Sequence, residues 1–343
     1  MKVALNLEAA GWLGGRYYLQ NLMLAVREHA PEVELVTVGP RDADFAELAH
    51  ADRAPDDADA IFPNWGLDHE TPAAQIHWIP DLQHRALPEN FGVVERLRRD
   101  RGYRRLGRRA ELVVVSSDVA RADAARAYPR LGPKLRVLHF ASAAPPPESS
   151  PADSVARHEL PDRFILLPNQ FWAHKNHATA FAAARDLALP LVCTGATEDH
   201  RRPQYFTRLM AELRRNGAEE NLRILGIVPR EDYLGLVRSA AAVLQPSLFE
   251  GWSSVVEDAR AYGRPIALSD IAVHREQSPP LSFFFSPRDP VALADAVNRA
   301  AAAEPLPSAE AARAQAANTA AFARRFVELV AEAAASRRAD RAQ

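Results

Sequence analysis

Short apolar runs alternate with amphipathic stretches along almost the whole of this 343-residue chain. A parallel sheet covered by helices on both faces demands that rhythm, because a strand buried on two sides has no polar face to show. In the first half the runs predict strands at residues 3–7, 33–38, 60–62, 76–79, 112–116 and 135–139. In the second half they predict strands at 164–167, 191–194, 222–227, 242–244, 266–268 and 283–285. Residues 143–151 (AAPPPESSP) break the rhythm with proline and serine and read as a linker. The expected fold is α/β, with two Rossmann-like, doubly wound domains facing a cleft. Ligands of such sheets bind at the carboxyl ends of strands, where loops feed helix N-termini.

At 48% hydrophobic and 25% charged residues the composition is that of a globular protein, and a formal charge of −2 supplies no global field for nucleic acid or an anionic surface. Cys193 is the sole cysteine, so neither a disulfide framework nor a zinc cluster is expected. The first apolar run ends at Glu8, and no run approaches the roughly 18 apolar residues of a membrane span. A cytoplasmic protein is the expectation. After Ala300 the chain turns alanine-rich, a helical signal with Phe322, Phe326 and Val330 on one face. Its last residues, 336–343, are expected to fray.

The segment 242–270 reads strand, loop, helix, strand. Ser254 followed by Glu257 matches a capping box, the ordinary reading of that glutamate. Yet Gly251, Trp252, Ser253 and Ser254 would place bare N–H groups and a positive helix end at the strand mouth, a seat for phosphate, with Glu250 and Glu257 on either side to accept from hydroxyls. Residues 168–177 (PNQFWAHKNH) follow the first strand of the second half, where Lys175 can meet a phosphate or simply be a surface lysine.

The stretch 246–277 (PSLFEGWSSVVEDARAYGRPIALSDIAVHREQ) resembles the signature of glycosyltransferase family 4, in a subgroup with a serine-containing turn. Residues 168–177 and 225–230 (LGIVPR) are similar to two further elements of that family. The resemblance implies a GT-B fold with an acceptor-side domain over 1–145, a nucleotide-sugar domain over 146–307 and C-terminal helices over 308–343 that cross back to the first domain. It implies that Glu250 binds the donor sugar, that Gly251 to Ser254 bind phosphates and sugar, and that Glu257 binds the ribose. Lys175 would stabilise the leaving diphosphate, beside Asn169 and Gln170, and Val228 would lie by the base. Two departures stand out. Glu250 and Glu257 enclose six residues, one fewer than is common, and Gln170 occupies the place of an arginine. The family further implies a retaining transfer from a nucleotide-diphosphate sugar, with no cofactor or metal required.

In the first half, Gly14 and Gly15 follow the first strand and precede a helix expected over 16–28, and can serve as a turn or line the donor site. Asp81 and His84 follow the strand at 76–79 and look like the family's histidine–aspartate element, with Pro80 at the usual histidine position and His84 as substitute. His77 and His139 are rivals. Ser116 and Ser117 read as N-caps.

Residues 96–109 hold eight arginines and one aspartate, either a solvated helix face or a patch for peripheral contact with a membrane that presents a lipid-linked acceptor. No nucleic-acid motif accompanies them. The acceptor could equally be a glycan or a small molecule. Three other functions stay open: a nucleotide-sugar epimerase, a catalytically degenerate sugar-nucleotide-binding protein, and a scaffold built around the arginine helix.

Overall fold

The structure, a computed structural model, describes residues 1–64, 71–143, 150–215 and 217–342. The chain divides into two units, the first comprising Met1–Leu82, Val93–Ala144 and Gln315–Gln343, the second Gln83–Gly92 and Pro145–Ala314.

The first unit is a parallel sheet of β1 (Lys2–Asn6), β2 (Glu34–Val38), β3 (Ala49–Ala51), β4 (Ala60–Phe62), β5 (Ala74–Ile79), β6 (Leu112–Val115) and β7 (Leu135–Val137), in the order β3-β2-β1-β4-β5-β6-β7. Strand β6, LVVV, is buried at every position, as a strand covered on both faces must be. The helix Leu13–His29 turns Tyr18, Leu19, Leu22 and Val26 into the core. Tyr18 stacks on Trp78 with ring centroids 4.2 Å apart.

The helix Ser308–Ala342 gives its second part to this unit. Phe322 and Phe326 are buried, and Phe326 meets Phe62 edge-on at 5.3 Å. Arg136 grips Glu332 through Nε at 2.9 Å and Nη2 at 2.5 Å. The expected fraying beyond residue 336 is corrected: the helix runs to Ala342, because Ala333 and Ala334 are buried and Arg337 donates to Glu111 Oε1 at 3.1 Å and to the Thr71 carbonyl at 3.1 Å.

The second unit is a parallel sheet of β8 (Ile165–Pro168), β9 (Leu191–Thr194), β10 (Leu222–Gly226), β11 (Ala242–Gln245), β12 (Ile266–Ser269) and β13 (Ser282–Phe285), in the order β10-β9-β8-β11-β12-β13. Its two faces sort by the strand period of two. Ile165 and Leu167 join one core with Cys193, Leu244 and Val297, while Phe164 and Leu166 join another with Val192, Val243 and Val256. Burial pushes the Cys193 thiol up, so it is a small apolar core group.

Several boundaries differ from expectation. Strand β3 (AHA) carries no apolar run and was not expected; it is an edge strand held by β2. The first long helix begins at Leu13 rather than residue 16, after a 3-10 turn at Leu7–Gly11. Most of the expected linker, residues 144–149, lies outside the described residues. Its last residue, Pro151, instead opens the helix Pro151–Arg157, capped by Ser150. Among the described residues no helix is long and apolar enough to cross a membrane.

Candidate functional site

In each sheet the strand order reverses beside the first strand, so neighbouring loops diverge at the carboxyl ends of β1 and β4 and of β8 and β11. The second of these points gathers most of the expected site residues.

Strand β8 ends in Pro168, followed by Asn169, whose Nδ2 donates to Gln245 Oε1 at 2.5 Å at the end of β11. The Gln245 amide then donates twice, to Glu250 Oε1 at 3.0 Å and to Ser253 Oγ at 2.8 Å. Lys175 stands at the end of the 3-10 turn Ala173–Lys175, where Asn176 reverses the chain in the left-handed region with φ 57°. The Asn176 amide donates to the carbonyls of Pro246 at 3.0 Å and Pro287 at 2.7 Å, and Leu248 N donates to the His174 carbonyl at 2.8 Å. The two loops are therefore held together before any ligand binds.

Across this junction Lys175 Nζ lies 2.7 Å from Glu250 Oε1, with both side chains largely buried. Burial alone would raise the Glu250 carboxyl, but the Lys175 ammonium and its hydrogen bond outweigh that and hold it below its ordinary value. His174 is pushed down to about 3 by burial and by Lys175, so its imidazole is neutral.

The helix after this loop is Ser254–Ala261. Its N-cap is Ser253 and not Ser254, and no side chain caps it, which corrects the expected capping box. The reason is competition: Ser253 Oγ accepts from Gln245, and the Glu257 carboxyl is taken by Gln277 Nε2 at 2.9 Å and Arg260 Nε at 3.3 Å. Gln277 also pairs with the Ser253 backbone, accepting from its N–H at 3.0 Å and donating to its carbonyl at 2.9 Å. Burial pushes the Glu257 carboxyl up to about 7 against the pull of Arg260 and Gln277. Gly251 is buried and Trp252 and Ser254 are half-buried in the same turn.

Val228 is half-buried after β10, two residues before the helix Arg230–Ser239. Arg230 ties that loop to the Ser254–Ala261 helix through both oxygens of Asp258, at 3.1 and 3.2 Å, and Tyr233 Oη donates to the same carboxylate at 2.7 Å. Gln170 is half-buried and lines an open pocket of about 530 Å³ with Trp172, Thr197, Asp199, His200 and Phe206.

The structure brings Asn169, Gln170, Lys175, Glu250, Gly251, Trp252, Ser253, Ser254 and Glu257 together at the mouth of one sheet, whereas Gly14, Gly15 and Asp81 belong to the first unit. Gly14 and Gly15 lie in the first turn of the helix Leu13–His29 rather than before it. A Cβ on Gly15 would stand 1.9 Å from the Ala9 carbonyl, so close backbone approach accounts for that glycine. Asp81 is half-buried, and its carbonyl accepts from Tyr103 Oη at 3.4 Å. His84 belongs to the second unit, buried in the helix Gln83–Ala86 and edge-on to Phe91 at 6.2 Å. His77 is buried within β5 and pushed down to about 4 by that burial. Ser117 caps the helix Asp118–Ala127, and Ser116 Oγ accepts from Trp78 Nε1 at 3.2 Å.

Sequence reasoning missed Gln245, Gln277, Arg230 and Gly195. Gly195 has φ +122°, and a Cβ there would lie 2.5 Å from the Asn169 carbonyl oxygen. Its signal was available, a glycine directly after a buried strand.

A cation, two buried carboxylates with opposite proton affinity and a helix start without a side-chain cap make a site suited to an anionic, polyhydroxylated ligand. Residues 165–303 match the family described as glycosyl transferases group 1. Among curated proteins no sequence matches the chain. Solved structures of low identity share the fold over nearly its whole length. HepE of Anabaena in complex with UDP-glucose is 14% identical, covers 100% of both chains and has a TM-score of 0.65. AviGT4, a glycosyltransferase involved in avilamycin A biosynthesis, is 21% identical over 98% of each chain with a TM-score of 0.64. A glycosyltransferase of Rickettsia africae is 13% identical over 97% of this chain and 98% of that one, with a TM-score of 0.67. The two parallel α/β units thus share the fold of GT-B glycosyltransferase structures, and residues 165–303, most of the second unit, carry the group 1 match.

Proposed function

We propose that the protein is a retaining glycosyltransferase that moves a sugar from a nucleotide-diphosphate sugar to an acceptor hydroxyl in glycan or polysaccharide synthesis. The observation that carries this reading is the pairing of Lys175 with Glu250 beside the start of the Ser254–Ala261 helix, with Glu257 buried one turn on. Lys175 and the N–H groups of Gly251, Trp252 and Ser254 take the diphosphate, the Ser253 N–H being held by Gln277, with Glu250 at the sugar hydroxyls and Glu257 at the ribose. Val228 lies by the base, and Asn169 and Gln170 line the phosphate side. HepE, solved with UDP-glucose, makes a uridine donor the first to test.

In the reaction the bond from the anomeric carbon to the diphosphate oxygen breaks while the acceptor oxygen bonds to that carbon on the same face. The acceptor proton passes to a phosphate oxygen of the leaving group, whose growing charge Lys175 stabilises. No metal is needed in this scheme. The acceptor is a glycan, a lipid-linked glycan or a small molecule. The neutral amide of Gln170 at a position where the family carries a cation favours one second reading, a protein that binds the donor without turnover.

A thermal-shift screen of UDP, GDP, ADP, CMP and dTDP with their common sugars tests the proposal. Stabilisation by one nucleotide, lost in Lys175→Ala and Glu257→Ala, supports it; no shift with any of them removes it.

A further inference from the structure

The arginine-rich segment forms the helix Val93–Arg109 of the first unit, and its two faces differ sharply. Leu106 is buried, Tyr103 packs edge-on against Tyr128 at 5.7 Å, and Gly107 lies so close to Leu131 that a Cβ would stand 3.1 Å from it. This face is docked on the unit. On the other side Val94, Leu97, Arg98, Arg101, Arg105 and Arg108 are exposed, together with Arg104. At about 100° per residue these positions fall within an arc of about 120°.

The exposed stripe is graded along its length. At the N-terminal end Val93, Val94 and Leu97 are 61%, 79% and 63% exposed, three of the few large aliphatic side chains left to solvent among the described residues. The rest of the stripe is guanidinium. Its acidic neighbours are turned away: Glu95 pairs with Arg99 at 3.2 Å, and Asp100 accepts from Tyr128 Oη at 2.5 Å. Among the described residues Arg98, Arg101, Arg104, Arg105 and Arg108 form no ion pair. In a chain of formal charge −2 this is a local excess of positive charge with no ion-pair partner among the described residues.

We propose that this face is a docking surface for an anionic phospholipid membrane. The aliphatic end enters the boundary between headgroups and acyl chains, and the arginines lie against headgroup phosphates with their stems along the interface. A nucleic acid accounts for the arginines alone. It gives exposed valines and a leucine nothing to bind, and Tyr103, the helix's aromatic, is turned inward and unable to stack on bases. The proposal stands apart from the glycosyl-transfer reading, since it requires no residue of the donor site.

The test is co-sedimentation of the full-length protein with extruded vesicles of phosphatidylcholine containing about a third phosphatidylglycerol, with pure phosphatidylcholine as reference. The expected result is binding to the anionic vesicles that raised salt abolishes. Binding should weaken at least about tenfold both in Arg98→Gln/Arg101→Gln/Arg105→Gln and in Val94→Ser/Leu97→Ser. Both variants change exposed side chains, and an unaltered melting temperature verifies that they fold. Absence of vesicle binding, wild-type binding by either variant, or retention of single-stranded RNA in preference to vesicles overturns the proposal.

Discussion

Lys175 Nζ and Glu250 Oε1 meet at 2.7 Å where the loops after β8 and β11 converge, a mostly buried ion pair whose acid also accepts from Gln245. In the unliganded protein each charge is the other's counter-ion. Lys175→Ala should therefore destabilise by about 3 kcal/mol, the low end for breaking a buried pair, because Gln245 still donates to the abandoned carboxylate. Lys175→Ala/Glu250→Ala should recover most of that loss while still failing to bind donor. Urea unfolding of the single and double variants checks both statements.

Glu257 makes the site sensitive to pH near neutrality. Its carboxyl is raised in the fold to about 7 from an ordinary 4.5, so its contribution to stability is fully present below 4.5 and lost as pH rises through 7. Donor binding should run the other way. In the proposed donor complex, ribose hydroxyls donating to Glu257 would favour the ionised form, so affinity should rise with pH up to about 7, by at most about tenfold per pH unit. Glu257→Gln should flatten both profiles, as measured by thermal melts and by titration with a nucleotide sugar between pH 5 and 8.

Gly195→Ala should damage the site from behind. The added methyl meets the Asn169 carbonyl at 2.5 Å in a backbone conformation with φ +122°, so the loop bearing Asn169 and Gln170 must move. A loss of about 1 to 3 kcal/mol in stability and weaker donor binding are expected. Gly102→Ala is the contrast: its Cβ meets open space in the helix Val93–Arg109, and the change should stabilise by up to about 1 kcal/mol. Denaturant midpoints of the two variants separate a close approach from a merely permissive glycine.

Gln277→Leu should uncouple Glu257 from the Ser253 turn, since one amide group now bonds to both. The expected signature is a weaker apparent affinity for donor with the nucleotide preference unchanged, readable from thermal shifts across a nucleotide series.

Much of this arrangement is legible in the chain itself. Runs such as LVVV and ILLP announce buried parallel strands because helices cover both of their faces. Lys175, Glu250 and Glu257 are visible because they fall in the stretches 168–177 and 246–277 that resemble a family signature. Gln245 and Gln277 are not, since their importance comes from contacts across elements; Gln277 reaches a carboxylate twenty positions earlier. The SxxE pattern at Ser254 misleads for the same reason, because Gln245 and Gln277 outbid the helix terminus for Ser253 and Glu257. Asp81 and His84 are near neighbours in sequence, but the chain changes unit between Leu82 and Gln83, a division made by packing rather than by local pattern. Strand β3 escapes notice because three residues, AHA, gain their order from pairing with β2.

The most direct test of the donor site is a calorimetric titration of the wild-type protein, Lys175→Ala and Glu257→Ala with the nucleotide sugar selected by the thermal screen. The prediction is one binding site per chain in the wild type and at least about tenfold weaker binding in each variant. Equal affinity in all three proteins would show that the donor, if bound at all, is held somewhere other than the mouth of β8 and β11.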